Sequence, residues 1–112
     1  MSPDGVGPPI FSLDVTAGDA WTKVSVAGEL DLATADEFSS AVRSGLAAGA
    51  VHIDLREVTF LDSAGVRALN TALRESAESG RALRVSGEMQ SNVLQVLELT
   101  GMLALLPVED GR

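Results

Sequence analysis

Val51-His52-Ile53-Asp54-Leu55 alternates apolar and polar side chains at every step. A strand with that pattern buries one face and leaves the other in contact with water, whereas a strand buried on both faces reads as a nearly continuous apolar run. The same alternation recurs along the chain. In 10–16, Phe11, Leu13 and Val15 oppose Ser12 and Asp14; in 21–27, Val24 and Val26 oppose Lys23 and Ser25; in 83–86, Leu83 and Val85 oppose Arg84 and Ser86. A sheet built from such strands carries its helices mainly on one face. His52, Asp54 and Arg84 are then expected on the less covered face.

Working outward, the segments between these strands have helical spacing. Phe38, Val42 and Leu46 recur at helical intervals, with Gly49 as a terminator. Thr34 precedes Glu37 by three residues, the spacing of a capping box. A second helix is expected over 65–79, with Val66, Leu69 and Leu73 inside and Gly80 as its stop. A third begins at Ser91, buries Val93, Val96 and Leu97, and ends before Gly101. The short apolar run 103–106, closed by Pro107, reads as a last strand. Ala17-Gly18-Asp19 supplies turn chemistry between the first two strands. The order is β-β-α-β-α-β-α-β. Strand–helix–strand units of this length make right-handed parallel crossovers, so the expected fold is an α/β, right-handed βα superhelix. Its sheet is mixed and mostly parallel, with one antiparallel strand at the start. Residues 10–108 form one domain, between a Pro/Gly-rich tail over 1–9 and a frayed end over 109–112.

Composition removes several functions. The chain has 112 residues, no cysteine and one His. That excludes a disulfide framework, a thiolate metal site and a cysteine nucleophile, and one His cannot build a multi-His metal site. No cofactor is expected. The net charge of -8 argues against binding nucleic acid or an anionic membrane surface. No basic residue precedes Lys23 and no apolar run approaches a membrane span, so a cytoplasmic protein is expected.

The stretch with chemical content is Val58-Thr59-Phe60-Leu61-Asp62-Ser63-Ala64-Gly65-Val66. Phe60 and Leu61 can anchor it as a loop. Asp62 and Ser63 come directly before a helix, where either side chain can cap the first N–H groups. The same position suits a phosphate, because a helix N-terminus offers unpaired N–H groups and the positive end of the helix dipole. Gly65, lacking a side chain, lets another backbone come close.

The chain resembles STAS domains, in particular the bacterial anti-sigma factor antagonists. Gly28-Glu29-Leu30-Asp31 resembles the family's Gly-Glu-(Leu/Ile)-Asp after an early strand. Phe60-Leu61-Asp62-Ser63-Ala64-Gly65-Val66 resembles its Asp-Ser-(Ser/Thr)-Gly-Leu signature. Leu99-Thr100-Gly101-Met102 resembles its late Ser/Thr-Gly-Leu. The resemblance implies the STAS fold and a partner switch. The unphosphorylated domain would bind an anti-sigma factor that is also a serine kinase, releasing a sigma factor. Phosphorylation of the matching serine, Ser63, would dissolve the complex, and a serine phosphatase would reset it. The implied partner-binding residues are Asp31, Asp62, Ser63, Ala64, Gly65, Val66 and Arg67. Two positions depart from the pattern: Ala64 stands where Ser or Thr is common, and Arg67 replaces a frequent Gly.

Two other readings compete. Another STAS role, a stressosome scaffold or a subunit of a lipid or anion transport assembly, would use the same fold for protein binding. A serine hydrolase using Ser63, His52 and Asp54 is disfavoured because no Gly-x-Ser-x-Gly elbow is present. No phosphate-binding Gly-x-x-x-x-Gly-Lys-Ser/Thr motif is present either. The expectation is a binding protein, not an enzyme, with His52 a polar sheet position dispensable for partner binding.

Overall fold

A computed structural model of the chain describes residues 11–109. The expected tail over 1–9, Ile10 of the first expected strand, and residues 110–112 lie outside the described residues. The strands are β1 (Phe11–Ala17), β2 (Trp21–Leu30), β3 (Ala50–Leu61) and β4 (Leu83–Val85), in spatial order β1-β2-β3-β4. β1 pairs antiparallel with β2; β2 with β3 and β3 with β4 pair in parallel. The helices are α1 (Ala35–Ala48), α2 (Ser63–Ser79), α3 (Ser91–Leu99) and α4 (Met102–Leu105).

One core cluster joins the inward strand residues Val24, Val26, Val51, Ile53, Leu55 and Val85 to apolar residues from all four helices. Among the latter are Phe38 and Val42 of α1, Leu69 of α2, Val93 and Leu97 of α3, and Met102 of α4. This is the arrangement that strand alternation implies. On the opposite face Ser12, Asp14, Lys23 and Arg84 are exposed and His52 is half-buried. Arg84 stacks over the Trp21 ring, 4.8 Å from its centroid. The His52 Nε2 lies 3.3 Å from a Glu109 carboxylate oxygen, whose other oxygen contacts Arg84 at 3.3 Å.

Asp54 departs from the expectation. It shares this face but is 5% exposed, closed over by Lys23 at 3.6 Å and by a bidentate contact from Arg56. Those contacts decide its ionisation. The Arg56 guanidinium holds the Asp54 carboxyl down to about 2 from 3.8, against the opposing effect of burial and with help from Lys23. The Arg56 backbone N–H, which also donates to this carboxylate at 3.0 Å, lowers it further.

β3 is longer than its alternating segment. Its buried positions are 51, 53, 55, 58 and 61, apart from Asp54. The two gaps of three coincide with two irregularities in the pairing with β2. Ser25 and Ala27 face Asp54 and Glu57, and Gly28 and Glu29 face Val58 and Phe60. Each is a bulge with one extra residue on β3. Two β3 groups beyond the short pairing with β4 are satisfied from neighbouring elements. The Leu55 N–H donates to the Ser86 hydroxyl at 2.9 Å, and the Thr59 carbonyl accepts from the Asn92 side chain at 2.8 Å. Gly28 meets the second bulge with φ of 92°, a conformation that side chains disfavour. So 58–61 is strand, not loop; Leu61 is buried while Phe60 is exposed.

Three further expectations are corrected. Residues 103–106 do not form a strand. Met102 and Leu106, four apart, are buried, while Ala104 and Leu105 are exposed, which is the periodicity of a helical turn. The fifth position of the sheet is displaced to Val108, which bridges Val85 in parallel; the Val85 N–H donates to Pro107 and the Glu109 N–H to Val85. Glu109, expected at a frayed end, is thereby held in place. The capping box at α1 also does not form. Thr34 has a helical backbone, so its hydroxyl turns back, accepting the Asp31 N–H and donating to the Glu29 carbonyl, each at 2.9 Å. Asp36 and Glu37 instead place negative charge in the first turn, which the helix dipole favours.

Candidate functional site

β2 and β3 end side by side, with Leu30 paired to Leu61 and both buried. Each strand then delivers an aspartate, Asp31 and Asp62, to the same end of the sheet. Asp62 is the N-cap of α2, and its Oδ1 accepts the Gly65 N–H at 2.9 Å. Its backbone carbonyl takes the Val66 N–H at 3.0 Å. Its Oδ2 accepts the Leu32 N–H at 3.4 Å, so one carboxylate ties the start of α2 to the loop after β2. Asp31 organises that loop. Its Oδ1 accepts the Ala33 N–H at 3.0 Å, and Thr34 braces it from behind.

Ser63, the first residue of α2, is exposed. With Gly65 and Val66 already served by Asp62, the remaining first-turn N–H groups are those of Ser63 and Ala64. A group added to the Ser63 oxygen meets the positive end of the helix dipole there, beside a carboxylate.

The expected partner-binding residues divide into three sets. Ser63 and Arg67 are exposed and four residues apart, so they lie one turn from each other on the same helical face. Asp31, Asp62 and Val66 are half-buried. Ala64 and Gly65 are buried and face inward. Gly65 does let another backbone come close, but it is this chain's own. An added Cβ would meet the Leu30 carbonyl oxygen well inside van der Waals distance, and Leu61 Cδ1 at 2.5 Å. Two neighbours were not expected as surface residues of the site. Leu32 is 78% exposed on the loop held by Asp62, and Phe60 is 46% exposed near the end of β3. Leu32 falls outside the helical repeat that starts at Ala35, and Phe60 outside the strand alternation. An apolar residue that belongs to neither repeat was the available signal. His52 lies mid-strand, between Lys23 and Arg84, and takes no part in the Asp62–Ser63 arrangement.

Among the described residues no group of three or more acidic or His side chains gathers to hold a metal, and no helix is long and apolar enough to cross a membrane. What the fold and site define is a small α/β domain that presents an exposed serine on a rigid helix start, flanked by carboxylates and two exposed apolar side chains. The chain belongs to the STAS domain family: the family model described as "Mlab, STAS domain" matches residues 13–107. The anti-sigma-B factor antagonist of Staphylococcus aureus is 24% identical over 103 residues, covering 90% of this chain and 94% of that protein. The crystal structure of an anti-sigma factor antagonist from Mycobacterium paratuberculosis superimposes with a TM-score of 0.78 at 26% identity, covering 92% of this chain and 89% of that one. The Bacillus antagonist SpoIIAA shares the fold in two states. Its unphosphorylated form has a TM-score of 0.70 at 16% identity, covering 89% of this chain and 88% of that one. Its phosphorylated form has a TM-score of 0.64 at 14% identity, covering 89% and 91%.

Proposed function

We propose that this chain is an anti-sigma factor antagonist, a binding protein rather than a catalyst. In this reading it docks on an anti-sigma factor serine kinase through the surface around Asp31, Leu32, Phe60, Ser63 and Arg67, and phosphorylation of Ser63 switches it off until a serine phosphatase resets it. The observation that carries the reading is Ser63 itself, exposed as the first residue of α2 and next to an aspartate whose carboxylate is already engaged. Similarity to antagonists in sequence and fold supports it.

The physics of the switch follows from that position. A phosphate adds about -1.5 to -2 charges and three acceptor oxygens. The first-turn N–H groups and the helix dipole accommodate it locally, so the domain stays folded. The partner instead meets new bulk and charge at the start of α2, in a region already negative from Asp31 and Asp62.

The test uses the anti-sigma kinase captured from the native lysate by the unphosphorylated protein. Incubation with that kinase and ATP should give one phosphate, mapped by mass spectrometry to Ser63. Ser63→Ala should bind the kinase with unchanged affinity and remain unmodified. Ser63→Asp should bind at least tenfold more weakly, a difference of about 1.4 kcal/mol. Phosphate on another residue, or undiminished binding by Ser63→Asp, refutes the assignment.

A further inference from the structure

The two edges of the sheet are finished differently. At β4, the segment around Val108 takes up Val85's outward N–H and C=O. At β1, nothing among the described residues pairs with the outer edge. β1 is seven residues long, without Lys, Pro or a bulge, so of the devices that discourage strand addition it carries only the single charge of Asp14. Val15, on the helix side of the sheet, is 50% exposed.

The turn between β1 and β2 fixes the hydrogen-bond parity of this edge. Gly18 donates its N–H to the Trp21 carbonyl at 2.7 Å, which makes Gly18 and Trp21 a hydrogen-bonded pair. Such pairs alternate along an antiparallel ladder. Following the register back, Thr16, Asp14 and Ser12 turn their peptide groups toward β2. Phe11, Leu13, Val15 and Ala17 turn theirs outward. An added strand must bond to those four.

We propose that a second copy of this chain adds antiparallel along β1, about a two-fold axis at Val15, to make one continuous sheet of eight strands. A two-fold axis pairs like with like, and charge selects where it falls. Centred on Asp14, it sets two aspartates face to face. Centred on Leu13, it sets Asp14 against the partner's Ser12, in a row that continues through Ala27 to the carboxylate of Glu57. Centred on Val15, it sets Asp14 against the partner's Thr16, in a row that continues through Lys23, His52 and Arg84. Only the last puts the acid in a row that carries cationic side chains, with Lys23 the nearest, one strand beyond Thr16. It also brings the two Val15 side chains together and lets both Val15 N–H groups bond across the axis. Val15 pairs with Val24, six residues before Leu30, so the axis lies roughly 20 Å along the strand from the Ser63 end at about 3.3 Å per residue. The dimer leaves that end open, and the proposal stands independently of the kinase switch.

The experiment is sedimentation equilibrium of the full chain from micromolar to millimolar concentration, with amide exchange measured by NMR at both ends of the range. The wild type should dimerise, and protection should rise with concentration at Leu13, Val15 and Ala17 but not at Ser12, Asp14 or Thr16. Val15→Pro removes an outward N–H that β2 does not use, and should give a folded monomer. Thr16→Glu should also be monomeric by facing Asp14, and combining it with Asp14→Lys should restore the dimer. The proposal is overturned by a wild type that stays monomeric throughout, as it would if another protein supplied the added strand. It is equally overturned by concentration-independent exchange at the three outward amides, or by a Thr16→Glu variant that dimerises like the wild type.

Discussion

β2 and β3 end in the same dipeptide, Leu30-Asp31 and Leu61-Asp62, in paired strands, yet the chain leaves them in different ways. After Asp62 it enters α2 at once, with the carboxylate on the N–H three residues ahead. After Asp31 it makes a turn first, with the carboxylate on the N–H two residues ahead, and α1 begins only at Ala35. The third residue beyond each aspartate accounts for the difference. At Gly65 the missing Cβ lets the first turn of α2 press against the Leu30 carbonyl. At the equivalent place stands Thr34, whose hydroxyl is spent on Asp31 and Glu29. One exit makes a rigid helix start that displays a serine; the other makes a short loop that displays Leu32. Asp62 Oδ2 joins the two.

The most damaging way to break this comparison is Gly65→Ala. Its Cβ has no room against backbone, so α2 must withdraw from β2. The expected loss is about 2–3 kcal/mol, from the usual cost of overpacking, read by urea denaturation. A loss under about 0.5 kcal/mol, the range of neutral surface changes, would mean that close approach does not govern the α2 exit.

Asp54 sharpens the contrast, because this carboxylate holds a guanidinium as well as a backbone N–H. Its ionisation is lowered to about 2 in the fold, so it contributes stability above its unfolded value near 3.8 and loses it as pH falls through 2. With Arg56 half exposed, the contribution is about 1–2 kcal/mol after discounting for solvent screening. Asp54→Asn should lose that amount at pH 7 and show a flatter decline in stability between pH 4 and 2. An unchanged acid limb in urea titrations would remove Asp54 from the account.

The smallest effects separate the two exits themselves. Asp62→Ala removes the cap of α2 and the tie to Leu32, at about 1–2 kcal/mol. Asp31→Ala removes a turn contact, at about 0.5–1 kcal/mol. Amide exchange at Leu32 should accelerate in the first variant more than in the second. The reverse ranking would show that the β2 loop, not the helix start, organises the site.

The first four strands, the antiparallel pairing of the first and the helix start after Asp62 were legible because they depend on short-range patterns. Period-two alternation in 51–55 marks a half-buried strand, and an Asp-Ser pair before a helical repeat marks a cap wherever it is placed. What the local pattern could not show was how the elements meet. The bulges in β3 shift its alternation by one residue twice, so the strand looked finished at Leu55. Only pairing with β2, and partners as distant as Ser86 and Asn92, make the remaining residues strand. The run 103–106 is too short for periodicity to distinguish a helical turn from a strand, and its burial was decided by the core it closes. Thr34 had the spacing of a capping box, but its hydroxyl is taken by Asp31 and Glu29. Sequence alone determined which faces are apolar and where the serine stands. Tertiary structure decided the bulges, the second role of Asp62 and the exposure of Leu32 and Phe60, because each depends on contacts between segments far apart in the chain.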